Sequence, residues 1–156
     1  MSPEYVERIR VEFEQLHQLV ERRSALLGKV LVNAPTDIEL DALATLLHSF
    51  YTGVEKILVI LSKEMGEFTE IERGAGWHQT LLRALAEPRE RRSAVLSRDL
   101  FSILLDYLGF RHVFRHAYTF ELKWGRMRPL VVNLKRTMDR FEEEVRGFCD
   151  RRSRGG

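Results

Sequence analysis

Residues 126–150 read RMRPLVVNLKRTMDRFEEEVRGFCD, with Met127, Val131, Leu134, Met138, Phe141, Val145 and Phe148 recurring at alternating steps of four and three. An α-helix turns once in 3.6 residues, so these seven side chains fall on one stripe while charged residues cover most of the remaining surface. The spacing predicts a long amphipathic helix that needs partner helices to cover its apolar face.

The partners are legible further upstream. Val6, Ile9, Phe13, Leu16, Val20, Leu27 and Val30 keep helical spacing, interrupted only by Arg23, and predict one long helix ending near Asn33. Pro35 disfavours helical geometry in the residues just before it. Asp37 is the expected cap of the next helix, whose stripe runs Leu43, Leu47, Phe50, Val54, Ile57, Leu61 and Met65. Gly53 leaves room there for a close helix contact, and Gly66 closes the element. A further helix starts at Ser97 or Asp99 and is apolar on nearly every side from Leu100 to Phe110, which suits a central position.

Residues 66–98 are less regular, with Gly66, Gly74, Gly76 and Pro88, a short helical segment near 77–87, and arginines at Arg83, Arg89, Arg91, Arg92 and Arg98. They read as an elaboration between core helices. The expected fold is therefore an all-α antiparallel bundle of four core helices with an extra helical segment. Residues 1–150 are expected to form a single domain and residues 151–156 a frayed basic tail.

Composition sets the outer limits. The chain has 156 residues, 44% of them hydrophobic, which suits one core. With 25 basic and 23 acidic residues, no field of the whole molecule draws it to nucleic acid or an anionic membrane, so any basic surface must be local. Cys149 is the single cysteine and reads as a small buried filler. The longest aliphatic run, ILVIL at 57–61, is far below the roughly 20 apolar residues that span a bilayer, and the expected location is the cytosol.

One segment resists a purely structural reading. GFRHVFRHAYTF, residues 109–120, places Arg111, His112, Arg115, His116 and Tyr118 in a run that would otherwise be core. On an ideal helix Arg111 and Tyr118 lie within about 20° of each other with Arg115 nearby, whereas Arg111 and His116 are about 140° apart. A single straight helix does not aim both at one small ligand. Either the backbone breaks near Gly109, or two copies of the chain meet and line one cleft together.

These residue types suit RNA cleavage without a metal. That reaction needs a base for the 2′-hydroxyl proton, an acid for the leaving 5′-oxygen, and cations for the charge gathering on phosphorus. Histidine can act as base or acid near neutral pH, and arginine stays charged and forks onto phosphate oxygens.

The string Arg111, His112, three residues, then His116, Ala117 and Tyr118 resembles the R-x4-6-H motif of HEPN-superfamily ribonucleases, in the R-x4-H-x-Y form of HepT-like toxins. The following acidic residue, the Trp124 and final helix, and the upstream Trp77, His78, Leu81 and Leu82 are similar to a longer HepT-like subgroup. The resemblance implies a dimeric, all-helical, metal-independent endoribonuclease without a cofactor, the toxin half of a toxin–antitoxin system. It implies Arg111 and His116 as the catalytic pair, His112 at a polar position of the motif as a further catalytic candidate, either proton carrier or orienter of Arg111, and Tyr118 as the tyrosine adenylylated by a minimal nucleotidyltransferase antitoxin. Arg115 is the expected additional RNA contact.

Each feature also has an ordinary reading. Arg111 and Arg115 suit the C-terminal end of a helix, where cations oppose the helix dipole. His112 and His116 have the i, i+4 spacing of zinc ligands, but no third ligand accompanies them. Tyr118 can anchor the bundle, and Trp77 and Trp124 read as core or interface anchors. The arginines between 83 and 98 are either a solvated face or an RNA track. His17, His48 and His78 have no partner visible in the sequence. A non-catalytic adaptor subunit of a nucleotidyltransferase is the alternative function.

Overall fold

The computed structural model describes residues 1–155. In chain order the helices are α1 (Pro3–Glu21), α2 (Ser24–Lys29), α3 (Asp37–Glu64), α4 (Phe68–Ile71), α5 (Trp77–Leu85), α6 (Arg98–His116), α7 (Trp124–Val132) and α8 (Leu134–Gly155), with a 3₁₀ turn at Thr119–Glu121. Among the described residues there is no β-strand, only an isolated bridge between Arg89 and Arg92.

Four long helices, α1, α3, α6 and α8, form the bundle, with α3 at its centre rather than α6 as expected, since Phe101, Ile103, Leu105, Leu108 and Phe110 of α6 are only half-buried. Their antiparallel order follows from which residues meet. The Ser2 N–H, at the start of α1, donates to Glu64 Oε1 at the end of α3 at 3.0 Å. Phe50 of α3 meets Tyr107 of α6, and the cap of α6, Ser97, is held by Glu144 of α8. Phe13 and Phe141 pack α1 against α8 with ring centroids 5.6 Å apart. Most of the predicted stripes is core, with Phe13, Leu43, Phe50, Ile57, Leu104, Leu134 and Phe141 all buried, whereas Val6 at the start of the first stripe is 42% exposed.

Local chemistry fixes the element ends. Thr36, not Asp37, caps α3, in a capping box with Glu39 that satisfies two backbone N–H groups reciprocally. Asp37 instead sits in the first turn, where a negative charge favours the helix dipole. Gly66, at φ +74°, ends the helix in a left-handed conformation that costs glycine little. α3 is the one described helix long and apolar enough to cross a membrane, and 61% of its most apolar stretch is buried inside the bundle.

Three expectations need correction. The first helix is not continuous, because an i to i+3 bond from the Arg23 N–H to the Val20 carbonyl tightens the chain into a turn between α1 and α2. The last helix is also divided, at Asn133. There Pro129 interrupts the hydrogen-bond ladder, the Asn133 side chain donates to the Pro129 carbonyl at 2.8 Å, and Thr137 Oγ1 donates back to the Asn133 carbonyl. Residues 151–155, expected to fray, continue α8, with Arg152 and Arg154 favouring the dipole at its end. Gly156 of the expected tail lies outside the described residues.

The elaboration at 66–98 is pinned by one buried cation. The Arg92 side chain is only 3% exposed and pairs with both oxygens of Glu67 at 2.7 and 2.9 Å. It also donates to the carbonyls of Ala84, Glu87 and Ser93. Arg92 thus belongs neither to a solvated face nor to an RNA track. Its five donors are committed to holding the loop onto α5.

Candidate functional site

The geometry starts from α6. Ser97 accepts a hydrogen bond from the Leu100 N–H, and Leu100, Leu104 and Tyr107 bury the first three turns. Burial pushes the Tyr107 hydroxyl up to about 12, and that hydroxyl donates to the Leu130 carbonyl at 2.6 Å. α6 passes through Gly109 without interruption and ends at His116. Of the two arrangements left open by the sequence, the backbone break at Gly109 is absent.

The last two turns carry Arg111, His112, Arg115 and His116 in two directions. The His112 and His116 rings lie side by side, 4.6 Å apart and both exposed. Arg111 is half-buried on the side facing α3, with its Nε fully buried, while Arg115 is exposed. Neither arginine forms an ion pair with a carboxylate among the described residues. Both retain positive charge for an incoming anion.

Tyr118 lies beyond the helix. Ala117 is extended, at φ −113° and ψ 150°, so Tyr118 does not share a helical face with Arg111 as expected. Its ring is 72% exposed and stacks on Phe120, itself 83% exposed, at 5.4 Å and nearly parallel. The hydroxyl-bearing ring is thus presented to solvent two residues after His116, rather than anchoring the bundle.

Sequence reasoning missed what faces Arg111. His48, on α3, packs against Phe114 with centroids 4.9 Å apart. Burial and then the charges of Arg111 and Arg115 hold the His48 imidazole below its ordinary range. Tyr51, one turn further along α3, is fully buried, and burial drives its hydroxyl well above the ordinary range, with Glu55 raising it further and Arg111 opposing. One more turn along, Glu55 pairs with His78 Nδ1 of α5 at 2.7 Å, and the His78 ring stacks on Trp77. His48, Tyr51 and Glu55 follow i, i+3 and i+4 steps, a polar line on a mostly apolar helix. That line was the available signal. His17 also has a partner, Glu142 of α8.

Trp77 and Trp124 are both half-buried against the core, as expected of anchors. Cys149 is buried, and burial pushes its thiol up, away from the reactive thiolate. Among the described residues no three His, Cys, Asp or Glu side chains gather as a metal-binding set.

The bundle is all-α and carries its Arg/His/Tyr string at and just beyond the C-terminal end of α6. The family model of the HepT-like protein matches residues 42–152, and the chain belongs to that family. No curated protein and no solved structure matches the chain.

Proposed function

We propose that this protein is a metal-independent endoribonuclease, the toxin of a toxin–antitoxin pair. The observation that carries this reading is the intact R-x4-H-x-Y string, within a HepT-like chain, on an unobstructed helix end where Arg111 and Arg115 have no carboxylate partner. The RNA 2′-oxygen attacks phosphorus and the bond from phosphorus to the 5′-oxygen breaks. One proton leaves the 2′-hydroxyl for a base, and another is delivered to the departing 5′-oxygen. His116, with His112 beside it, supplies the proton carriers. Arg111 binds the phosphoryl oxygens and favours the dianionic transition state, and Arg115 holds flanking phosphate.

Because α6 is straight, Arg111 and His116 of one copy diverge. The reading therefore includes a homodimer in which the Arg111 of one copy faces the histidines of the other. Val113, 50% exposed and one turn before His116 on α6, is apolar surface suited to that contact. Tyr118 is the proposed site of adenylylation by a partner nucleotidyltransferase. Purified protein in EDTA is expected to cut RNA and leave 2′,3′-cyclic phosphate ends, with a ~10²–10⁴-fold loss of rate in His116→Ala. Cutting undiminished in that variant, or cutting that needs added metal, would overturn this mechanism, and no cutting at all would favour a non-catalytic adaptor subunit.

A further inference from the structure

Three side-chain atoms at the seam between α3 and α6 are buried and have no hydrogen-bond partner: Arg111 Nε, Tyr51 Oη and His48 Nδ1. Each such group loses its hydration without a replacement if left alone, so three in one seam call for a reason. Their donor and acceptor capacities are complementary. The Arg111 Nε–H can only donate, the Tyr51 hydroxyl can do both, and an imidazole nitrogen without a proton can accept. One order satisfies all three: Arg111 Nε–H to Tyr51 Oη, and Tyr51 O–H to His48 Nδ1. The Arg111 charge acts on both Tyr51 and His48, so the three groups share one neighbourhood, and hydrogen bonds of this kind tighten around a reacting centre when substrate binds.

We propose that Tyr51 and His48 are positioning residues for Arg111, fixing its guanidinium through Nε so that its outer nitrogens point at substrate phosphate. The placement is specific to this pair of helices. Tyr51 and His48 are one turn apart on the face of α3 that meets α6, and the His48 ring is braced by Phe114, which lies between Arg111 and Arg115. Burial of Nε removes water as an alternative partner, so the guanidinium plane is set by the protein. The chain of bonds requires His48 to be unprotonated at Nδ1. The charges around it act to that end: Arg111 and Arg115 from α6 repel a proton, and Lys56 on α3 lines the same recess, against Glu12 from α1.

The inference rests on the ribonuclease reading for its consequence but not for its test. Tyr51→Phe removes one oxygen from a buried ring that has no partner for it, so the fold is expected to survive. The Arg111 Nε–H resonance, followed by NMR on the whole protein, should be protected from solvent exchange in the native chain and lose that protection in Tyr51→Phe. Turnover should fall on the order of tenfold with KM within about twofold, the pattern of a misaimed group rather than a lost contact. His48→Asn, which keeps an acceptor near the Nδ1 position but does not titrate, should retain both protection and turnover. In the native chain, protection should fade as pH drops below the ordinary histidine range and Nδ1 takes up a proton; in His48→Asn it should persist. An Arg111 resonance and a turnover both unchanged by Tyr51→Phe overturn the proposal, whatever happens to thermal stability. If Tyr51→Phe does not fold, the pH response of His48→Asn decides, and a response identical to the native chain overturns it. If the native chain cuts no RNA, the functional reading fails, while the resonance still judges the positioning role.

Discussion

At the scale of residues, the candidate site sets its arginines and histidines on different sides of α6 and a tyrosine in solvent beyond the end of that helix. Arg111, His112, Arg115, His116 and Tyr118 are identifiable because ionisable groups interrupt an apolar helix. That Arg111 leans on α3 while the histidines face outward depends on which helix packs alongside, and no local pattern encodes that. Tyr118 shows the same limit. Helical spacing put it beside Arg111, yet the helix ends at His116 and the ring stands in solvent. The exposure has a consequence under the proposed regulation. An AMP group on Tyr118 would bring a phosphate anion to the cationic end of α6 and compete with RNA for its arginines. Incubation with a cognate nucleotidyltransferase and ATP should add AMP to Tyr118, seen by mass spectrometry, and abolish cutting, while Tyr118→Phe should stay unmodified and active. A label on Tyr5 or Tyr51 would contradict this assignment.

At the scale of elements, the helical period gave the four long helices and missed their interruptions for one reason. A 3.6-residue stripe continues across a kink, so Val20 to Leu27 and Val131 to Leu134 read the same whether the backbone bends or not. Glycines on these helices separate packing from flexibility. Gly53 of α3 takes Leu16 of α1 directly onto its backbone, and a Cβ there would lie 2.4 Å from Leu16 Cδ2 and 3.1 Å from its Cγ. Gly109 of α6 has open space around it and helical geometry. Gly53→Ala should therefore lose about 1–3 kcal/mol to overpacking, only partly offset by alanine's better helix propensity. Gly109→Ala should gain about 0.5–1 kcal/mol. Chemical denaturation of both variants checks the pair. A stabilised Gly53→Ala would mean that Leu16 has somewhere else to go, and a destabilised Gly109→Ala that α6 does bend there.

At the scale of the whole molecule, one copy of the bundle offers an arginine on one side of α6 and two histidines on another, and the proposed reaction needs both around a single phosphate. Two copies resolve this if each site takes Arg111 from one chain and His116 from its partner. A closed twofold pair makes two such sites, and the assignment of groups to chains can be read by mixing inactive variants. Arg111→Ala and His116→Ala are each expected to be dead as homodimers, since every site lacks one group. Co-refolded in equal amounts they give about half heterodimers, and in each heterodimer one site has both groups intact while the other has neither. Activity should then return to roughly a quarter of the native level, and mixing without subunit exchange should restore nothing. If instead each chain supplied both groups to its own site, every site in the mixture would carry one lesion and activity would stay at zero. The same experiment fixes the role of Val113, since Val113→Asp on both variants should weaken dimer formation by placing a carboxylate in the apolar contact and remove the restored activity with it.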